Sequence, residues 1–137
     1  MNCVALSNSL TQMNTQKRSR IASFYSHQST SSLQAFQSLA AVAHSDGTVS
    51  IWNLTAGKLQ DSYLYHNADC RSVEFSADGH WLLTSSFDYS IGVMEMATGE
   101  THKLACHSDR VVNARWHGSL PIILSTSADK TAKIIGP

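Results

Sequence analysis

The sequence predicts an all-β protein assembled from a tandem module of about forty residues, a period typical of repeat architectures. Three observations carry that reading. First, the segments SDGTVSIW, FDYSIGVM and ADKTAKII hold an aspartate at the same place, and these residues, Asp46, Asp88 and Asp129, lie 42 and 41 residues apart. Second, the residues after each aspartate keep their type. A hydroxyl follows two later (Thr48, Ser90, Thr131), and apolar residues follow at five (Ile51, Val93, Ile134). Third, apolar residues recur at every second position, as in Val73 with Phe75, Val49 with Ile51, and Ile91 with Val93, which is a strand period and not a helical one.

The elements follow in chain order. Residues 1–32 are rich in Ser, Thr, Gln and Asn with little aliphatic content, and read as mostly disordered linker, with room for a vestigial strand around Ile21–Tyr25. The first unit is eroded upstream. Leu33 and Ala40-Ala41 fill apolar slots, but Phe24 stands where the later units carry a histidine. The second unit is the most complete, with strands expected over Arg71–Ser76, Trp81–Ser86, Ser90–Met94 and Glu100–Cys106. Turn signals at Ser45-Asp46-Gly47, Ala56-Gly57, Ala77-Asp78-Gly79 and Thr98-Gly99 separate such runs. In the third unit Pro121 is expected at the start of a strand, where a missing N–H is tolerated. The second and third units also match upstream: His66 and His107 lie 22 residues before their aspartates, and Phe75 and Trp116 lie 13 before. The one-residue difference in period falls between Gly57–His66 and Gly99–His107, so length variation is confined to one connection. Residues 39–137 call for no helix.

These units resemble the WD-repeat family. The resemblance covers about residues 33–137, in units of about 33–63, 66–106 and 107–137. It rests on the spacing and on the S-x-D core. The name-giving dipeptide survives only as Trp52-Asn53, with Met94-Glu95 and Ile135-Gly136 in its place elsewhere. The resemblance implies a partial β-propeller of about two and a half blades, each a four-stranded antiparallel sheet set radially around a channel. It also implies a non-catalytic scaffold for protein–protein interaction. In that family the last blade commonly takes its outer strand from the N-terminal region. A stop at Ile134-Ile135-Gly136-Pro137 therefore suggests a natural C-terminus, with further blades upstream of Met1 or supplied by self-association. Residues 69–93, 113–117 and 125–134 are similar to the C-terminal blades of the nemitin family, WD-repeat proteins associated with microtubules and neurons. That likeness points to microtubule-associated proteins or tubulin as partners and to a cytoplasmic, cytoskeletal location. The LisH and CTLH segments that begin that family are not in this sequence. Other family members suggest a ubiquitin-ligase substrate receptor, a coat component or an accessory domain of an enzyme.

Composition narrows the classes. With 42% hydrophobic residues the chain has material for a core, and its formal charge is zero with histidine neutral. Neutrality argues against a broad nucleic-acid surface. The longest apolar run, Leu39–Ala43, is far too short for a membrane span, and Met1–Leu10 lacks the pattern of a secretory leader. Cys3, Cys70 and Cys106 show no disulfide-framework spacing, which fits a reducing compartment. No cofactor is expected.

Ser, His and Asp together invite a hydrolase reading, with His66 near Thr84 and Asp88 and His107 near Ser125 and Asp129. The set occurs twice and no G-x-S-x-G elbow is present. The family resemblance implies instead that these residues, with Asp46 and Trp52 in the first unit, form structural hydrogen-bond networks. Met94 and Ile135, standing where tryptophan would donate, should leave two of them truncated. His66 with Cys70, and Cys106 with His107, suggest metal, but no C-x-x-C or H-x-x-x-H pair occurs and strands would separate the side chains. The run Lys17-Arg18-Ser19-Arg20 before Ser23 reads either as a solvated patch, or as a basophilic kinase site at Ser23 or a weak electrostatic contact with acidic tubulin tails, which phosphate on Ser23 would release. Partner contacts, by the resemblance, are expected at Asp69, Arg71, Phe87, Asp109, Arg110 and Val111. Phe87 is the most telling: a large apolar side chain in a turn either packs on the next unit or anchors a partner.

Overall fold

The computed structural model describes residues 19–27 and 37–137. All regular elements among them are strands: β1 (Ser19–His27), β2 (Gln37–His44), β3 (Thr48–Asn53), β4 (Lys58–Leu64), β5 (Cys70–Phe75), β6 (Trp81–Ser86), β7 (Ile91–Glu95), β8 (Thr101–Leu104), β9 (Val111–Trp116), β10 (Ile123–Ser127) and β11 (Ala132–Ile135). They form three antiparallel sheets in sequence order, β1-β2-β3-β4, β5-β6-β7-β8 and β9-β10-β11. The first strands of successive sheets lie side by side, β1 against β5 and β5 against β9. That is the radial stacking of a partial propeller, with two four-stranded blades and one of three strands.

The core follows from the strand period. A middle blade has neighbours on both faces, so both sets of alternating side chains must be apolar. Leu82 joins Ala41, Val49, Ile51 and Phe75 in the core between the first two sheets. Its neighbour Leu83 points the other way and joins Ile91, Val111, Ala114 and Ile123 between the second and third. Each leucine is fully buried, a contribution of about 2 kcal/mol apiece. Polar links add to the second junction. The Ala114 N–H donates to Ser72 Oγ at 3.3 Å, and the Trp116 N–H to Glu74 Oε2 at 3.0 Å.

The structure departs from the sequence reading in several places. The strand for which the sequence left room around Ile21–Tyr25 is β1, longer at both ends (Ser19–His27) and paired in the first sheet; Leu33 lies outside the described residues. Phe24 is within β1, opposite Ala40, and not on a loop between sheets. Pro121 precedes β10 by two residues and belongs to the loop. In the second unit the strands expected over Ser90–Met94 and Glu100–Cys106 are Ile91–Glu95 and Thr101–Leu104, so each starts one residue later and the last also ends earlier. Ser23 stands within β1 opposite Ala41, while Lys17, Arg18 and Cys3 lie outside the described residues.

Candidate functional site

The three aspartates head one and the same turn. Each accepts on Oδ1 from the backbone N–H two residues on, at 3.0 Å for Thr48, 3.1 Å for Ser90 and 2.9 Å for Thr131. The hydroxyl of that residue donates to the same oxygen at 2.5 Å in all three. The intervening residue takes positive φ each time: Gly47 at 88°, Tyr89 at 70° and Lys130 at 66°. The recurring hydroxyl seen in the sequence therefore closes an aspartate turn.

In the second sheet the turn is tied to the loop that enters it. His66 Nδ1 lies 3.0 Å from Asp88 Oδ2, and Nε2 lies 2.8 Å from Thr84 Oγ1. The same Oδ2 accepts from the Asn67 N–H at 3.2 Å and from Lys103 Nζ at 3.0 Å. In the third sheet His107 Nδ1 lies 2.8 Å from Asp129 Oδ2 and Nε2 lies 2.8 Å from Ser125 Oγ. Burial lowers the pKa of His66, against the pull of the Asp88 carboxylate. For Asp88, desolvation raises the pKa, but hydrogen bonds from Ser90, Lys103 and His66 outweigh it and hold the group well below the usual carboxylate range. Asp129 is held low chiefly by the Thr131 hydroxyl, with His107 assisting against desolvation. Neutral imidazole beside carboxylate is thus the favoured pairing at His66. The Nδ1–H donates to Asp88, and Nε2 accepts from Thr84.

The geometry mimics a hydrolase triad, and burial removes its chemistry. Ser125 is fully buried and Thr84 only 2% exposed, so no substrate carbonyl reaches either oxygen. Both ring nitrogens of each histidine are engaged, which leaves no lone pair for a metal. Among the described residues no group of three or more His, Cys, Asp or Glu side chains converges as a metal site.

The first sheet uses a different set. His44 Nε2 lies 2.8 Å from Ser50 Oγ, to which Trp52 Nε1 donates at 3.1 Å. Trp52 thus shares the Ser50 hydroxyl with His44. The sequence reading missed His44 because the period places the histidine 22 residues upstream. In the second sheet Met94, in the tryptophan slot, accepts through its sulfur from the Tyr65 hydroxyl.

The expected contact residues divide into two groups. Phe87 carries Arg71 on its ring at 5.0 Å from guanidinium carbon to centroid, and Arg110, from the next sheet, at 5.2 Å. Asp109 lies 3.6 Å from Arg110 Nε. The Asp69 carbonyl accepts the Phe87 N–H at 2.9 Å, and the Arg110 carbonyl accepts the Ala128 N–H at 2.9 Å. Asp69 thus corresponds to Arg110, and Arg71 to Val112. Val111 is fully buried in the core, while Val112, which matches Arg71 in register, is 45% exposed. The cause is a β-bulge. In each first strand one residue, Arg71 or Val112, is left over between the partners of the next strand, which re-aims its side chain. At the far end of the same junction a mainly apolar groove of about 870 Å³ runs between Trp81 and Trp116, bordered by Leu104, Leu120, Ile123 and Ile135.

Sheets stacked by their first strands, each pinned by an aspartate turn and an entering histidine, define a propeller-type repeat protein. The chain belongs to the WD-repeat family: the family model "WD domain, G-beta repeat" matches residues 57–93 and 99–135, more than half of its length. WD repeats typically form non-catalytic interaction platforms. The chain is 31% identical over 105 residues, 72% of its length, to the chromatin assembly factor 1 subunit FAS2 homolog of Oryza sativa subsp. japonica. It is 34% identical over 93 residues, 64% of its length, to the poly(A)+ RNA export protein of Schizosaccharomyces pombe. It spans 21% and 26% of those two proteins.

Proposed function

We propose that this chain is a docking segment of a WD-repeat platform and holds partner proteins at the loop end that carries Phe87. One observation supports this most. The polar residues of the repeats are spent inside the sheets, whereas Phe87 is kept at a turn by arginines from two different blades. Aromatic and arginine side chains dominate the energetics of protein interfaces. The open edge of β11 and the exposed Leu124 and Ile134 (49% and 75%) are surfaces for further blades, from a longer parent chain or a second copy.

A photo-crosslinking residue placed at position 87 should capture another polypeptide in cells. The same residue at position 59, on the outer strand β4, should not. Equal capture at both positions, or none at 87, would remove the reading.

Two finer assignments compete. Similarity of residues 69–93, 113–117 and 125–134 to the nemitin family favours microtubule-associated complexes in the cytoplasm. The names of the two relatives favour an adaptor in an assembly unrelated to the cytoskeleton. Co-sedimentation of the chain with taxol-stabilised microtubules separates them: retention in the supernatant eliminates the cytoskeletal assignment.

A further inference from the structure

We propose that Arg71 and Arg110 form a two-pronged receptor for an acidic segment of a partner polypeptide, with Phe87 as the spacer between the prongs. The proposal rests on the reading of the Phe87 face as a docking surface and names the chemistry of what docks there.

Arg71 is the bulge residue of β5, Arg110 lies on the loop into β9, and Phe87 sits on the turn after β6. Two cations from different sheets therefore converge on one ring, at 5.0 and 5.2 Å. The ring face attracts a cation but is no counter-ion, and two guanidinium groups so placed repel each other. Their neutralisation within the chain is poor. Among the described residues Arg110 pairs only with the adjacent Asp109, at 3.6 Å with both side chains well exposed, which is longer than a charge-assisted hydrogen bond. Arg71 makes no ion pair among the described residues, and its Nε is buried without a hydrogen-bond partner. Such a donor is rare in a native structure and calls for an acceptor.

The blade itself does not require this cluster. In the third unit the same turn and the same bulge carry Ala128 and Val112 in place of Phe87 and Arg71. The trio is a property of one junction, laid over a shared framework. Asp69 and Asp109 stand close by in sequence, so the four charges sum to zero. A polyphosphate chain gains little from so mixed a patch. A peptide with spaced carboxylates can set two of them on the guanidinium forks and keep its neutral residues beside the aspartates.

The test titrates the full chain into a fluorescein-labelled peptide that alternates glutamate and glycine, with its glutamine counterpart as control. The glutamate peptide should bind and the glutamine peptide should not, and binding should weaken as salt rises. Arg71→Gln and Arg110→Gln should each weaken binding roughly tenfold, the loss expected for a charged hydrogen bond. Arg71→Lys, which keeps the charge and loses the planar fork, should fall between, and it decides the matter should Arg71→Gln unfold. Equal binding of the glutamine peptide, or arginine variants that bind as the parent does, would overturn the proposal. So would displacement of the peptide by a single-stranded oligonucleotide at lower concentrations than the peptide itself requires. If position 87 crosslinks to partners but neither arginine variant alters the yield, the platform stands and the acidic ligand falls. If position 87 crosslinks to nothing, both fall.

Discussion

The His66 N–H donates to the Gly47 carbonyl at 3.2 Å, which stitches the aspartate turn of the first sheet to the loop entering the second. The contact is close enough to exclude every side chain at position 47. A Cβ there would lie 2.1 Å from the His66 carbonyl oxygen, and φ is +88°. Gly47→Ala should therefore destabilise the chain by about 2–3 kcal/mol, combining left-handed strain with a forced shift of the His66 loop. Urea unfolding monitored by tryptophan fluorescence measures it, and a change under half that size would show that the loop yields.

Asp88 accepts more bonds than any other side chain in the second blade. Asp88→Ala would leave the buried His66 Nδ1–H only the Ser90 hydroxyl, 3.2 Å away, and would remove the acceptor of the Asn67 and Ser90 N–H groups. A loss of about 2–3 kcal/mol is expected, since several hydrogen bonds to one charged acceptor are lost together. Asp88→Asn, which keeps one acceptor oxygen, should recover part of it. A melting temperature unchanged by the alanine would contradict the structural role.

Acid should unfold the chain in two stages. Burial depresses the pKa of His66, so the unfolded state takes up that proton more readily, and stability declines as pH falls below about 6.5. Protonation also places an N–H where Nε2 accepts from Thr84, which breaks that bond. Asp88 is depressed as well, because hydrogen bonds from Ser90, Lys103 and His66 outweigh desolvation. Its contribution is fully present above about 3.9 and is lost as pH falls below that value. Urea midpoints across the pH range should show a shallow step and then a steeper one. His66→Gln should flatten the first and Asp88→Asn the second. A midpoint constant from pH 7 to 5 would count against the His66 assignment.

Much of this was legible in the sequence because the repeated parts obey one spacing. The aspartate turns follow from period and residue type, and the His66 and His107 pairings from the family resemblance that this spacing carries. What stayed hidden is what breaks the period. The first strand of the first blade lies upstream of the spacing its partners keep, so Phe24 was compared with histidines on loops when it stands in a ladder. A bulge puts Val112, and not Val111, in register with Arg71, and a one-residue shift reverses the face of a strand. His44 pairs with Ser50 across a tight turn, a local solution that no repeat offset reports. The meeting of Arg110 with Phe87 spans two blades, and only their packing brings it about.

Tyr89 is a misfit that can be relieved. It holds φ at 70° in the turn position that Gly47 fills in the first blade, and 49% of its surface is exposed. Left-handed backbone costs a β-carbon residue about 1–2 kcal/mol, while glycine adds unfolded-state freedom worth about half of that. Tyr89→Gly should raise stability by about 0.5–1 kcal/mol. Destabilisation instead would mean that the tyrosine ring packs usefully on its neighbours.

Gly92 offers the sharpest test of how the second network is built. It lies opposite Thr84 in the ladder between β6 and β7. A Cβ at Gly92 would stand 2.5 Å from Thr84 Oγ1 and 3.5 Å from His66 Nε2. Gly92→Ala should thus push the threonine hydroxyl off the imidazole and cost about 2 kcal/mol, as overpacking does in a tight interior. The clash has one partner, so removing that partner should remove the cost. In a Thr84→Ala background the hydroxyl is gone, and alanine at position 92 has space to fill. A double-mutant cycle on the two positions should then show coupling of about 1 kcal/mol or more. Additive losses would mean that Gly92 is required by the backbone and not by the space it leaves for the His66–Thr84 bond.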